Sequence, residues 1–489
     1  MLKKIMAALL AACTICVLGA CGKDDAKTPD TKPDSTVTEP DNSDNTADNN
    51  TETEIDYTSD LSTERYDGYN YRMLVRKGMI NDQYLEDDSE DLVESATYKR
   101  NKEVEDRYGI TITVSESNDS NYETDALNSI LAGDDAYDLI FAHSRAAFVY
   151  AIQGAAMNFN DISTIHLDKP WWTQDITESC NINGKLYVLD GDISTSGLGA
   201  TMCLFFNKRI FDELGYDYPY EMVKDGDWTF DEFSYLAKKG GADLNGDGVM
   251  NPEDDQFGFF TSEWAAPINI LYAGGQKIYN INDEGAVELT LYSNKTVEIF
   301  DEFFSLMNNE ACFLRFTEGN INYSGPDIFQ SGRAMMASGG LGSAQGLRNM
   351  DDDFGIIPYP KFDEFQEKHY TYADRYSMLF CIPASCADPD FAGFMLEALS
   401  AEATDTSLKA YYEISCKTKY TYDADSAEML DLTFDGIQYD LTRIYSISGV
   451  NDILYKLASK KDNTFSSDYA KIESKAQADI EKLIEDLNG

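Results

Sequence analysis

The run Leu139-Ile140-Phe141-Ala142 constrains the fold of this 489-residue chain more than any other stretch. Four consecutive apolar residues offer no polar face, so a strand here must be covered on both sides. Gly133-Asp134-Asp135 supplies a turn before it, and His143-Ser144-Arg145 a polar tip after it. Ala146, Ala147, Val149, Ala151 and Ile152 then continue with helical character. Upstream, residues 70–76 read as a strand, 91–108 as an amphipathic helix, 110–114 as a strand and 122–131 as a helix. A β-α-β-α-β order implies an α/β fold with a doubly wound sheet. Ligands of such sheets bind in the crevice outside the carboxyl ends of the strands. His143, Ser144 and Arg145 stand at such an end and are the first candidate ligand contacts; an ordinary solvated turn is the competing reading.

The two ends of the chain read differently from its middle. Lys3 and Lys4 precede an apolar run, Ile5 to Val17, too short to stay in a bilayer as a spanning helix. It ends Leu18-Gly19-Ala20-Cys21, which resembles the lipobox of bacterial lipoproteins. The expectation is a signal peptide over residues 1–20, lipidation of Cys21 and a membrane anchor. Residues 21–65 are rich in Asp, Thr, Asn, Pro and Ser. Such a segment cannot bury enough apolar surface to offset its ordering entropy, and reads as a disordered acidic linker of roughly 35–40 Å reach. Beyond it, helices are expected at 229–239, 296–307 and 468–487, with further strand character at 181–190, 202–207 and 375–383. The formal charge of −48 repels phosphates, which sets nucleic acid aside.

The densest chemical motif runs from Asp243 to Asp254. Asp243, Asn245, Asp247, Val249 (through its carbonyl), Asn251 and Asp254 fall at the ligand spacing of an EF-hand-like loop, with Gly248 at its sharp turn. A structural Ca2+ is expected there; a metal-free Asp/Asn/Gly surface loop is the alternative. His143, His166 and His369 form no zinc motif, and no nucleophile elbow, P-loop or dinucleotide fingerprint appears. Cys180, Cys203, Cys312, Cys381, Cys386 and Cys416 could pair, but several sit in apolar runs, where free buried thiols are expected. Trp171, Trp172 and Trp264 stand beside polar residues, as sugar-stacking rings would; Trp228 reads as core.

Six stretches share an order with one family. They are YDLIFAHSRAAFVYAIQGAAMNFND, Gly184-Lys185-Leu186-Tyr187-Val188, Leu204-Phe205-Phe206-Asn207-Lys208, Trp228-Thr229-Phe230-Asp231-Glu232-Phe233, Phe329 to Met336, and Ile357-Pro358-Tyr359-Pro360. Together they resemble the bacterial extracellular solute-binding proteins of the maltose-binding type, over roughly residues 100–375. The resemblance implies a type II periplasmic-binding-protein-like fold of two lobes, each a sheet flanked by helices, joined by a hinge. Lobe 1 would take residues 66–202 and about 376–418, and lobe 2 residues 203–375 and about 419–489. It implies a monomeric ABC-importer lipoprotein on the extracellular face of the cytoplasmic membrane. Such a protein captures a carbohydrate, an oligosaccharide first, and passes it to permease subunits. Ligand contacts would come from His143, Ser144, Arg145, Trp171, Trp172, Asp192, Trp264 and Arg375, with no catalytic residues. Gly339-Gly340-Leu341-Gly342 departs from the family, which carries an aromatic there. Peptide or another solute as cargo, a glycan-binding adhesion module and a glycan-degrading enzyme stay open as alternatives.

Overall fold

The computed structural model describes residues 56–118, 123–263, 265–282, 285–315, 328–374, 377–419, 421, 423–440 and 449–488. The signal peptide, Cys21 and most of the expected linker lie outside them. Four strands form the first sheet: β1 (Asn70–Val75), β2 (Thr111–Glu116), β3 (Leu139–His143) and, returning late in the chain, Met378–Cys381. Its order is Met378–Cys381, β3, β1, β2, parallel except for the late strand. Every residue of β3 is buried, as its unbroken apolar run requires. The connecting helices are α1 (Leu92–Tyr108), α2 (Thr124–Leu131) and α3 (Ser144–Ile152). Asp91 starts α1 by accepting from the amides of Val93 and Glu94 at 2.9 and 3.3 Å. Gly109, at φ 71°, ends it. Residues 181–190, expected to add a strand, make only isolated bridges, Ile182 to Lys185 and Leu189 to Phe380.

After a short helix α4 (Gln174–Ser179), the chain crosses into a second sheet through residues 193–201. Its strands are β4 (Met202–Asn207), β5 (Phe257–Ser262), β8 (Cys312–Arg315), β9 (Ala334–Gly340) and β10 (Phe354–Ile357), ordered β10-β4-β9-β5-β8. A hairpin, β6 (Tyr279–Ile281) with β7 (Val287–Leu289), projects beside it. Besides short helices at Lys208–Leu214 and Tyr220–Asp225, the sheet is flanked by α5 (Phe230–Lys239), α6 (Ala266–Ala273), α7 (Asn294–Met307) and the short α8 (Ala344–Leu347). At Gly258 of β5 a Cβ would lie 1.7 Å from the carbonyl oxygen of Ala237, so α5 rests directly on bare backbone. Trp228 is buried before α5 and donates to the carbonyl of Pro358 at 3.0 Å.

The chain recrosses through β11 (Thr371–Tyr372) into β12, the Met378–Cys381 strand. A third crossing follows α9 (Pro389–Asp405): α10 (Ser407–Ala410), then a π-helix, Tyr411–Lys419. Tyr412 and Cys416 already pack with Ile356 and Phe434 of the second sheet's core, so the chain has crossed before residue 418. α11 (Ala424–Asp435), β13 (Ile437–Gln438, paired with β11) and α12 (Val450–Ala458) stay with the second lobe. The last helix, α13 (Phe465–Asn488), touches both: α7 and α12 of one lobe and α3 of the other. Tyr187 of the first lobe donates to the Leu487 carbonyl at 3.2 Å. The first described residues form a strap on the first lobe alone. There Arg65 donates to the carbonyls of Asp106 and Arg107 at 2.9 and 3.0 Å, and Tyr66 packs on Phe391 and Phe394. The six cysteines beyond residue 21 are free and buried. Among the described residues no helix is long and apolar enough to cross a membrane.

Candidate functional site

The carboxyl ends of β1 and β3 in one sheet, and of β9 in the other, converge on the crossings. The amide of Ser144, just past β3, donates to Ser377 O at 3.3 Å, and that of Leu341, just past β9, to Thr201 O at 2.8 Å. Asp374 N donates to Ala200 O at 2.9 Å, binding the first two crossings together. Between the segments that leave β1 and β9 lies a cavity of ≈ 360 Å³. The first lobe supplies Asn81, Asp82, Asp91, Glu94 and Thr97; the second supplies Gln345 and Arg348; the crossings supply Ile193, Thr195, Ser407, Tyr411 and Ser415. This volume is at the lower end of small-molecule sites. Its wall is mostly hydroxyl, amide and carboxylate, with one aromatic ring.

Several of these groups are held in place before any ligand arrives. Glu94 accepts from Asn81 Nδ2 at 3.1 Å and from Ser89 Oγ at 2.6 Å. Asp82 is open to solvent by surface area, yet it lies deep between the lobes. The protein mass around it, and then the charge of Glu94, push its carboxyl up to about 6. Behind the wall, the fully buried guanidinium of Arg100 donates to Gln83 O at 2.9 Å, Ile193 O at 3.0 Å and Ser407 Oγ at 3.3 Å. One side chain on α1 thereby ties together three segments that line the cavity. Tyr411 opens the π-helix, an irregularity that often marks functional positions. The phenolic oxygen of Tyr411 approaches Gly199 so closely that a Cβ there would sit 3.0 Å from it.

The residues expected from the sequence are distributed unevenly around this cavity. His143 and Ser144 do sit at the end of β3, but both are buried, and His143 Nδ1 caps α3 by accepting from Arg145 N at 3.2 Å. None of the three lines the cavity. Trp171 is buried with Lys169 over its ring at 5.8 Å, and so packs as core rather than as a stacking platform. Trp172 donates to His166 O at 3.0 Å. Asp192 is half-buried, with Oδ2 accepting from Thr404 Oγ1 at 2.7 Å. Trp172 and Asp192 line a second, smaller cavity behind the crossing. Trp264 and Arg375 lie outside the described residues. Asn81, Asp82, Glu94, Gln345, Arg348 and Tyr411 were not foreseen. The signals available were the polar loop after the first strand and the Gly-rich departure at 339–342.

In the loop proposed for calcium, the oxygens turn to the loop's own backbone. Asp243 accepts from Gly246 N and Gly248 N at 2.7 and 2.8 Å, and Asp247 from Val249 N at 2.8 Å. Asn251 accepts from Glu253 N at 3.1 Å, and its own Nδ2 donates to Asp254 at 3.4 Å. Asp255, buried beneath them, accepts from Leu244 N and Asn251 N. Among the described residues, no three His, Cys, Asp or Glu side chains are gathered as a metal cage. The loop is thus closed by Asx-type bonds, Asn245 Oδ1 also accepting from Asp247 N at 2.9 Å.

The family described as bacterial extracellular solute-binding protein matches residues 99–428. A search of curated proteins gives no match. Among solved structures, a cyclo/maltodextrin-binding protein complexed with maltotetraose is 16% identical, with a TM-score of 0.55, covering 86% of this chain and 98% of its own. UgpB from Mycobacterium tuberculosis, in complex with glycerophosphocholine, is also 16% identical, with a TM-score of 0.53 and coverages of 85% and 98%. An ABC transporter solute-binding protein from Thermotoga lettingae, bound with α-D-tagatose, is 15% identical, with a TM-score of 0.50 and coverages of 86% and 100%.

Proposed function

Since the chain belongs to the bacterial extracellular solute-binding proteins, we propose that it captures a carbohydrate, an oligosaccharide first, for an ABC importer. The cavity between the two lobes carries this reading. It stands at strand carboxyl ends, its walls come from both lobes, and they present hydroxyls, amides, carboxylates and one tyrosine ring. Sugar hydroxyls need both donors and acceptors; Gln345 and Arg348 face one side of that need, Asp82 and Glu94 the other. Of the solutes held by the three neighbours, maltotetraose and tagatose are carbohydrates, and glycerophosphocholine carries a glycerol diol. Ligand bound to both walls favours the closed arrangement over the open one by its differential affinity. No step of bond-breaking is proposed. Lipidation of Cys21 would hold the protein on the outer face of the membrane beside its permease; mass spectrometry of the purified protein tests it.

The test of cargo is a thermal-shift screen of residues 22–489 against oligosaccharides, amino acids and short peptides. A ligand at a hundred times its dissociation constant stabilises by about 2.7 kcal/mol. A shift with one glycan family, with the sugar recovered intact, supports the reading. A shift with peptides alone refutes the carbohydrate assignment. Consumption of the sugar makes the protein an enzyme. Calcium remains a proposal carried by the spacing of Asp243, Asn245, Asp247, Asn251 and Asp254; calorimetric titration of the chelator-treated protein tests it, and absence of binding at millimolar Ca2+ removes it.

A further inference from the structure

Tyr411 is the one aromatic ring among the described residues that line the main cavity. It is half-buried and packs against the second lobe's core, which gives the ring a firm backing. Ser407, a turn earlier, accepts from Arg100 of the first lobe at 3.3 Å. The ring therefore stands where the two lobes meet. Its phenolic end is limited by Gly199 of the first crossing, where a Cβ would come 3.0 Å from the oxygen. Gly199 has little room to retreat. Cβ atoms at Gly340 and Gly342, at the end of β9, would lie 3.4 and 3.3 Å from its carbonyl oxygen. The carbonyls that follow are held as well, Ala200 O by Asp374 N at 2.9 Å and Thr201 O by Leu341 N at 2.8 Å. Glycine at 340 and 342 lets β9 close on the crossing, and glycine at 199 lets the tyrosine come up to it.

We propose that Tyr411 is the platform on which one sugar ring of the cargo stacks, and that Gly199 is the positioning residue that seats it. The inference rests on the carbohydrate reading. A pyranose presents C–H bonds on its faces and hydroxyls around its edge. The faces suit a flat apolar ring with a polar tip. The hydroxyls suit the carboxylates, amides and hydroxyls of the surrounding wall. A side chain at position 199 acts through Tyr411. A methyl there must push the phenolic oxygen back by a few tenths of an ångström, and the far end of a side chain gives way at little cost in stability. The stacked face moves with it, and a gap of about 0.5–1 Å forfeits about a quarter to a half of a contact's attraction.

The test uses residues 22–489 with maltotriose, cellotriose, xylotriose, mannotriose, chitotriose and raffinose as probes. Dissociation constants come from the concentration dependence of the melting temperature. For the trisaccharide held most tightly, Tyr411→Phe keeps the flat ring and should bind within about threefold of the parent, whereas Tyr411→Leu should bind about tenfold more weakly. Gly199→Ala should weaken binding about threefold while the ligand-free melting temperature stays close to the parent's. In the Tyr411→Phe background the same methyl meets no oxygen, so Gly199→Ala should cost no affinity there. A purely structural role for Gly199 would give equal losses in both backgrounds. Parent-like binding by Tyr411→Leu, or equal losses from Gly199→Ala in the two backgrounds, overturns the proposal and leaves the carbohydrate reading standing. A parent that binds none of the probes overturns the proposal together with that reading. Should Tyr411→Leu not fold, the two Gly199→Ala measurements decide.

Discussion

Replacing Arg100 with methionine tests whether one buried cation organises the main cavity. The substitution keeps an unbranched chain of similar reach and removes every donor. Four hydrogen bonds are lost, to Gln83 O, Ile193 O, Ser407 Oγ and Asn101 Oδ1. Bonds from a charged donor contribute about 1.5–3 kcal/mol each, together about 6–12 kcal/mol. Against this stands the cost of burying the charge. Desolvation lowers the pKa of Arg100 from 12.5 to about 9, which corresponds to about 5 kcal/mol that the methionine recovers. The balance is a loss of about 4 kcal/mol, in line with breaking a buried ionic network. Not all acceptors suffer equally: Gln83 O keeps Asn101 Nδ2 at 2.8 Å, whereas the bond to Ile193 O at 3.0 Å comes from Arg100 itself. The first crossing should therefore loosen most. Urea denaturation followed by tryptophan fluorescence measures the stability. Hydrogen exchange of the amides at 193–195 and 407–411 reports the local effect. Unchanged exchange in those segments, with stability within about 1 kcal/mol of the parent, would refute the account.

Three further outcomes are expected. Gly258→Ala drives a methyl into the Ala237 carbonyl and should cost about 3 kcal/mol or prevent soluble expression, as read by urea denaturation and yield. His369 is buried and donates its Nδ1–H to Tyr359 O, 2.8 Å away; burial lowers its pKa from 6.5 to about 4. A base depressed in the folded state contributes stability above its unfolded pKa that is lost as pH falls from about 6.5 through 4. The loss is up to about 3 kcal/mol, and His369→Gln should flatten that part of the stability–pH curve. Asp82 is the opposite case: its raised carboxyl weakens the folded state as pH rises from about 4 to 6. Asp82→Asn should therefore raise the melting temperature at pH 7.5 more than at pH 4, and equal shifts at both would refute the placement.

Local signals located several of the elements because each of these carries its own stop and start. The strand expected at 202–207 is Met202–Asn207, and the helix expected at 91–108 begins one residue later only because Asp91 serves as its cap. The 468–487 stripe extends to Phe465–Asn488 because Phe465 is itself buried, against Phe300 and Tyr469. The failure at 181–190 has an equally local cause. Gly184 turns the chain at φ 74°, so Ile182 and Lys185 bridge each other instead of joining a ladder. The site was less legible. Polarity beside a tryptophan says nothing of which way the ring faces, so Trp171 was expected to stack on a sugar and is found in the core. Asp82 and Arg348 are 266 positions apart and share a wall only because the chain crosses between lobes three times. No sequence window can hold that relation.

The strap formed by Arg65 and Tyr66 has a mechanical consequence. Its grip on the end of α1 and on Phe391 and Phe394 involves one lobe only. Any load drawn through the chain ahead of Asp56 is therefore borne by the lobe built on β1 and β3. Were the proposed anchor at Cys21 to hold the chain, that lobe would be the stator, and the lobe built on β4 and β9 the arm that swings. Gln345 and Arg348 would then travel to the solute while the Asp82 half stayed at a fixed height. α13 touches both lobes, so it would flex or slide with each such closure.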